Sequence, residues 1–215
     1  MSTLCHICKR MAIYGNLLLM NITHFEIIEG KKPVLLSAPH AYIHKRPNLS
    51  MVYRQGERYT DNIVRNICEL TGTWGIILTE DVEYDPNFYK EKNNPYKQAI
   101  RKIVRENKIE QFIDIHGLSL DKYYDIAIYY PNRFTKSKDF ADLVKDGMGK
   151  GSLYGTSVSL LKFYNDSQEA LCEFLAQRMR VPAIQMEIAR YIREDKKLRN
   201  SFIENLSVLL NKRFV

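Results

Sequence analysis

From residue 22 onward the apolar positions alternate between two periods. Ile22 to Ile28 and Pro33 to Ala38 read as strands around the turn Glu29-Gly30-Lys31-Lys32, and the unbroken run Val34-Leu35-Leu36 suits a strand buried on both faces. Thr60 to Leu70 then places Ile63, Val64, Ile67 and Leu70 at helical spacing and stops before Gly72, a fitting residue just past a helix end. Gly75 to Thr79 returns to a strand. Asn94-Pro95 supplies an N-cap and a first helical residue, after which Tyr96, Ile100, Ile103 and Val104 fall on one face.

The alternation continues to the end of the chain. Gln111 to Ile115, Tyr124 to Tyr130, Val158 to Tyr164 and Pro182 to Ile188 are strand-like, and Lys138 to Lys145 is helical. Asp166 and Glu169 have capping-box spacing ahead of a helix in which Leu171, Phe174, Leu175 and Met179 share a face. Leu198, Phe202, Ile203, Leu206 and Leu210 mark a closing helix. Strands separated by helices of ten or more residues require crossover connections. The expected fold is therefore a three-layer α/β/α sandwich with a largely parallel or mixed central sheet, formed by residues 22–215 as a single domain.

Composition narrows the class without choosing a function. The 215 residues are 45% hydrophobic and 27% charged, the usage of an ordinary globular domain with a real core. The longest apolar stretch, Met11 to Ile22, is interrupted by Gly15, Asn16 and Asn21, so no transmembrane helix is expected. Residues 1–21 begin like a secretory signal but lack a small-residue cleavage site after Leu19, and read as an N-terminal extension or first strand. Cys5 and Cys8 have the spacing of half a zinc knuckle, yet no second Cys or His pair lies at finger spacing. Four cysteines without a disulfide pattern suit a reducing compartment, and the expectation is a cytoplasmic protein. Net charge is +7, from lysines and arginines spread along the chain rather than gathered into a tail.

The chemistry lies where polar residues meet strand ends. His40 follows the strand ending at Ala38, His116 follows Ile115, Glu187 closes the strand beginning at Pro182, and Glu57 stands in the loop entering the first helix. In an open α/β sheet ligands bind beyond the carboxyl ends of the strands, so separate strands deliver His, His and Glu to one rim. Imidazole and carboxylate donors suit Zn2+ in a site that keeps a position open for water or substrate. A carboxylate that is not a ligand can then act as general base, and Glu187 is the candidate. Asp114, two residues before His116 on the same strand face, is placed to orient that imidazole through its other nitrogen. Glu57 and Asp61 compete as the acidic ligand, and each position taken singly has an ordinary structural explanation as a cap or strand-end residue. Asp81, Asp85 and Glu91, in a tyrosine-rich loop, read as solvated.

Four segments, in order, carry a resemblance: Pro33-Val-Leu-Leu-Ser-Ala-Pro-His40, Gly56-Glu57-Arg-Tyr-Thr60-Asp61, Ile113-Asp114-Ile115-His116-Gly117 and Gln185-Met186-Glu187-Ile188. Together they resemble the N-formylglutamate amidohydrolase family, relatives of the zinc carboxypeptidases with an α/β/α fold. The resemblance implies His40, Glu57 and His116 as zinc ligands and Glu187 as general base. Two departures stand out. Glu57 lies 17 residues after His40, so the His-x-x-Glu motif of many carboxypeptidases is absent, and His40-Ala41-Tyr42 replaces the His-Ser-Gly of the deformylases.

The implied reaction is hydrolysis of a C–N amide bond in a small N-acyl amino acid or short peptide, with a carboxylate-bearing small molecule as the partner. Arg58 and Arg190 are candidates for stabilising the oxyanion or gripping a substrate carboxylate, with surface arginines as the plainer reading. The loops Tyr42 to Gln55 and Glu83 to Pro95 are long enough to shape specificity. The alternative from another class is a basic, non-enzymatic nucleic-acid-binding module that stacks bases on Tyr84, Tyr89 and Tyr96 among nearby lysines. An inactive relative of the amidohydrolases is a further alternative.

Overall fold

Alternation along each strand decides which helices the sheet can carry. The computed structural model describes residues 24–46, 52–119, 122–164 and 169–213. In β2 (Lys32–Ala38), Val34, Leu36 and Ala38 point into one core cluster and Leu35 into another. The same division runs through β6 (Gln111–Gly117), with Ile113 and Ile115 opposite Phe112, and through β9 (Ala183–Ile188), with Ile184, Met186 and Ile188 opposite Ala183. The first face is covered by α1 (Thr60–Thr71), α3 (Thr135–Gly147) and α6 (Lys196–Arg213). The second is covered by α2 (Pro95–Glu106) and by α4 (Leu171–Phe174), which runs on as a wider turn over Leu175–Met179. Each large side chain buried this way, Phe202 or Phe112 for example, contributes about 1.5 to 3 kcal/mol before the cost of ordering it.

Seven strands form the sheet, completed by β1 (Phe25–Ile28), β5 (Thr73–Leu78), β7 (Ile126–Tyr130) and β8 (Val158–Lys162), in the order β1-β5-β2-β6-β9-β7-β8. β5, β2, β6 and β9 are mutually parallel, whereas β1 runs antiparallel to β5 and β7 antiparallel to β9. The sheet is thus mixed. The mixed α/β architecture matches the expected fold class, and the expected caps at Asn94 and Gly72 hold locally. Asn94 accepts from the Lys97 amide at 3.0 Å ahead of Pro95, and Gly72, at φ 71°, closes α1 by donating to the Cys68 carbonyl.

Several expectations are corrected. Leu70, placed on the buried face of α1, is exposed. The stretch 42–55, read as loop, contains a short hairpin of β3 (His44–Lys45) and β4 (Tyr53–Arg54). A five-residue helix, α5 (Arg190–Glu194), follows β9 directly. The proposed cap Asp166 and the segment 1–21 with Cys5 and Cys8 lie outside the described residues. The helix that Asp166 was to cap begins at Leu171, where the Ala170 amide donates to Glu173 Oε2 at 3.1 Å. Among the described residues no helix is long and apolar enough to cross a membrane.

Candidate functional site

The strand alternation that builds the core also sorts the polar residues. On β6, Asp114 and His116 share the face of Phe112; on β9, Gln185 and Glu187 share the face of Ala183. All four therefore emerge on the α2 side of the sheet at the carboxyl ends of neighbouring strands, with His116 directly opposite Glu187 in the pairing register. His116 and Gly117 belong to β6 itself, two residues beyond the expected strand end.

Glu57 reaches these residues by a different route. Its backbone amide donates to the His40 carbonyl at 2.7 Å, which joins two positions 17 residues apart. Gly56 permits the approach, because a Cβ there would stand 2.5 Å from the Ala41 carbonyl oxygen. The chain then turns sharply into α1. The Thr60 hydroxyl donates to the Glu57 carbonyl at 2.8 Å, and Tyr59 adopts a left-handed φ of 67°.

The resulting geometry is close to symmetric about the Glu57 carboxylate. Oε1 lies 3.4 Å from His40 Nδ1, and Oε2 lies 3.4 Å from His116 Nδ1. Each imidazole is held from behind, His40 Nε2 by Asp85 Oδ1 at 2.9 Å and His116 Nε2 by Asp114 Oδ2 at 2.9 Å. Glu57 Oε2 also accepts the Gly117 amide at 2.8 Å. His40, Asp85 and Asp114 are fully buried, His116 nearly so, and His40 Nδ1 has no hydrogen-bond partner. A buried nitrogen aimed at a shared carboxylate, with its far side fixed by an aspartate, is the arrangement of an imidazole ligand. The three converging donors, two nitrogens and a carboxylate oxygen, lie within 4.8 Å of one another and fit one divalent cation. A second triad, His40, His44 and Asp85, also has its donor atoms within that distance, but there Arg46 Nε stands 3.3 Å from Asp85 Oδ2 and supplies positive charge already.

Electrostatics follow from this packing. Burial alone would raise the Glu57 carboxyl, but the His116 and His40 imidazoles outweigh it and hold it well below the ordinary range. Burial likewise opposes charge on His40 and His116, yet the carboxylates around them, Asp85 and Glu57 for one and Asp114 and Glu57 for the other, raise both above the usual value. Burial, reinforced by the charge of Glu57, pushes Glu187 upward against the pull of His116.

Asp85 is the main correction here. The expectation that the tyrosine-rich loop carries solvated carboxylates fails at Asp85, which is fully buried behind His40. Its Oδ1 also caps the loop by accepting the Asn87 and Phe88 amides at 2.9 and 3.2 Å, and Asn94 ties the same loop down through the Pro86 carbonyl at 2.8 Å. The signal was present in Asp85-Pro86-Asn87, a sequence that favours an aspartate folding back on its own backbone. Glu91 is held by Arg101, while Asp81 is exposed and accepts the Ile43 amide at 3.0 Å.

The remaining sequence candidates sit at the rim. Asp61 lies in the first turn of α1 outside the converging set, in a surface hollow shared with Arg58 and Tyr42. Arg58 is exposed and offers its carbonyl to Arg193. Arg190 is exposed and paired with Glu194 at 2.8 Å. Two guanidinium groups the sequence did not single out lie deeper. Arg46 stacks over Phe88, 4.9 Å from the ring centre, and its charge acts on both Asp85 and Glu187. Arg193 is buried beside Gly117 and bonds to the Ile188 carbonyl at 3.0 Å. The tyrosines suggested as a stacking platform are not available as one. Tyr96 is fully buried with its hydroxyl on the Ile76 carbonyl, and Tyr84 packs edge-on against Tyr89 with its own hydroxyl buried.

No protein-family model matches this sequence, and no curated protein matches it. Solved structures do match. A gene product of Agrobacterium tumefaciens superimposes with a TM-score of 0.62 at 12% identity, over 88% of this chain and 94% of that one. A metallo-carboxypeptidase from Burkholderia cenocepacia matches with a TM-score of 0.55 at 10% identity, over 90% and 66%. The catalytic domain of an N-acetylmuramoyl-L-alanine amidase from Bacillus (Paenibacillus) polymyxa matches with 0.53 at 12% identity, over 84% and 97%. The chain has a carboxypeptidase-like α/β fold.

Proposed function

We propose that this protein is a zinc-dependent hydrolase that cleaves a C–N amide bond in a small N-acyl amino acid or short peptide. One observation carries the reading: the two oxygens of Glu57 face Nδ1 of His40 and Nδ1 of His116, while an aspartate holds the far nitrogen of each ring. A salt-bridge cluster built for stability alone has no need to leave His40 Nδ1 buried and unsatisfied. Amidase and carboxypeptidase structures among the matches with this fold support the same class of reaction.

In this reading His40, Glu57 and His116 hold Zn2+, and Asp85 and Asp114 fix the two rings. Bound zinc supplies Lewis acidity, polarising the scissile carbonyl and lowering the pKa of water toward about 7. Glu187, opposite His116 and partly shielded from solvent, accepts the proton as the water O–H bond breaks. The hydroxide oxygen bonds to the carbonyl carbon, the C–N bond breaks, and Glu187 returns the proton to the departing amine. The raised affinity of its carboxyl for a proton suits both halves of that cycle. Positive charge for the oxyanion or a substrate carboxylate comes from Arg46, with Arg58 and Arg190 at the rim as further candidates. N-formylglutamate is the first substrate to try, given the order of the four motifs.

Metal content of protein purified without a tag or chelator, together with hydrolysis of a panel of N-formyl and N-acetyl amino acids and dipeptides, tests the reading. Roughly one zinc per chain and release of free amine are expected. Failure to hold zinc after reconstitution would overturn it.

A further inference from the structure

Glu187 is tied to His40 by an unbroken line of hydrogen bonds that runs through two amide side chains. Gln185 Nε2 donates to Glu187 Oε1 at 3.0 Å, since alternation along β9 puts both residues on one face. Gln185 Oε1 accepts from Asn87 Nδ2 at 3.5 Å. The Asn87 backbone amide donates at 2.9 Å to Asp85 Oδ1, the oxygen that also meets His40 Nε2. Asn87, Gln185 and Asp85 are all buried.

The direction of this line is set at one point. An amide side chain can usually be turned over, exchanging its donor and acceptor ends. Here Asn87 Oδ1 accepts the backbone N–H of Leu171 at 2.7 Å, and a backbone N–H can only donate. Asn87 must therefore offer its NH2 to Gln185, Gln185 must receive it on oxygen, and only the Gln185 NH2 remains to face Glu187. A donor in that place favours the ionised carboxylate; a carbonyl turned toward Glu187 would demand a protonated one.

We infer that Gln185 and Asn87 are positioning residues for the general base: they hold Glu187 as a carboxylate, occupy its Oε1 and leave Oε2 as the oxygen that receives the proton of water. The inference rests on the proposed hydrolase reading for its catalytic meaning. Its structural content, a polarity fixed by Leu171 and transmitted through two amides, stands independently. Neither residue touches the zinc ligands through its side chain, so loss of either leaves the metal set in place.

Gln185→Met is the central variant, because Met fills the same space without a donor. Zinc-loaded Gln185→Met is expected to keep its metal and fold, to melt somewhat lower because the buried Asn87 NH2 loses its acceptor, and to lose about 10- to 100-fold in kcat on the N-acyl amino acid that the wild type hydrolyses, with KM changed less than about twofold. Asn87→Asp still accepts from Leu171 but offers Gln185 an oxygen; the Gln185 amide turns over, and kcat falls at least as far. Unchanged kcat in Gln185→Met would overturn the inference. A second measurement does not depend on turnover. In zinc-loaded, 15N-labelled protein the Gln185 side-chain amide protons are expected to exchange slowly with solvent, and Asn87→Ala is expected to abolish that protection. Fast exchange in the wild type overturns the inference whether or not any substrate is cleaved. Absence of all turnover alongside a protected amide overturns the hydrolase reading alone.

Discussion

The imidazole of His44 lies flat against that of His40, with ring centres 3.8 Å apart and planes 4° from parallel. His44 Nδ1 donates to the Tyr42 carbonyl, 3.1 Å away, and the residue belongs to the short hairpin strand β3. His40 is thereby fixed on its edge by Asp85 and on its face by His44. Burial, aided by charge on His40, lowers His44 to about 4. A histidine with a folded value near 4 and an unfolded value near 6.5 refuses a proton that the unfolded chain accepts between those limits. Its effect on stability is absent above about pH 6.5 and grows as pH falls toward 4, at most on the order of 3 kcal/mol. His44→Phe keeps the stacked face and removes the titration. Thermal melts of the variant are therefore expected to fall less between pH 6.5 and 4 than those of the wild type.

Zinc uptake is expected to release protons. In the metal-free protein His40 and His116 have raised values, so each stabilises the fold while protonated, fully below about pH 6.5 and less as pH climbs through the raised value. A metal ligand must give up its proton at Nδ1. Calorimetric titration of the apoprotein with zinc near pH 7, in buffers of different ionisation enthalpy, should show net proton release that shrinks as the pH is raised. Heats independent of the buffer would contradict it.

Asp85→Asn and Asp114→Asn test the support behind the rings. An amide in place of either carboxylate still fills the space but no longer stabilises charge drawn from the imidazole. Zinc affinity measured by competition with a chromogenic chelator is expected to drop about 10- to 100-fold for each. Equal affinity in both variants would reduce the aspartates to packing.

Glu187→Gln separates metal binding from proton transfer. Glu187 is outside the converging donor set, so the variant should retain zinc at the wild-type level. Turnover should fall by about 10²- to 10⁴-fold, the usual worth of a general base. Full activity would assign the proton to another group.

Gly117→Ala is expected to damage stability and metal binding together. A Cβ at this position would lie 2.7 Å from Nη2 of the buried Arg193 and 3.2 Å from the Glu57 Cβ, and it sits on the residue whose amide holds Glu57 Oε2. Overpacking of this kind costs about 1 to 3 kcal/mol. Melting temperature and zinc stoichiometry should both decline; a variant that lost neither would mean that Arg193 and Glu57 can shift freely.

The legible part of this molecule was whatever obeys a period. Val34, Leu35 and Leu36, the face of α2 and the pairing of Asp114 with His116 follow from spacings of two or three to four residues, and the sequence alone predicts them. Strand direction was not legible, because nothing in Ile126 to Tyr130 distinguishes a strand antiparallel to β9 from a parallel one. Asp85 was hidden for a different reason: a carboxylate in a polar loop is ordinarily solvated, and its burial depends on Asn94 and His40, residues 9 and 45 positions away. Arg58 and Arg190, whose plainer reading is as surface arginines, are both exposed, and Arg46 comes in beside Asp85 from the hairpin.

The bond from the Glu57 amide to the His40 carbonyl makes the segment between them a closed excursion. Its two ends meet at the base, so the length of chain from Ala41 to Gly56 is not what spaces the donors. Where a helix supplies two ligands, every insertion rotates one of them out of line; here a backbone bond joins the two donor residues directly, so the number of residues between them does not set their separation. A search for proteins with this pair of donors is therefore better framed without a fixed interval between the first histidine and its glutamate.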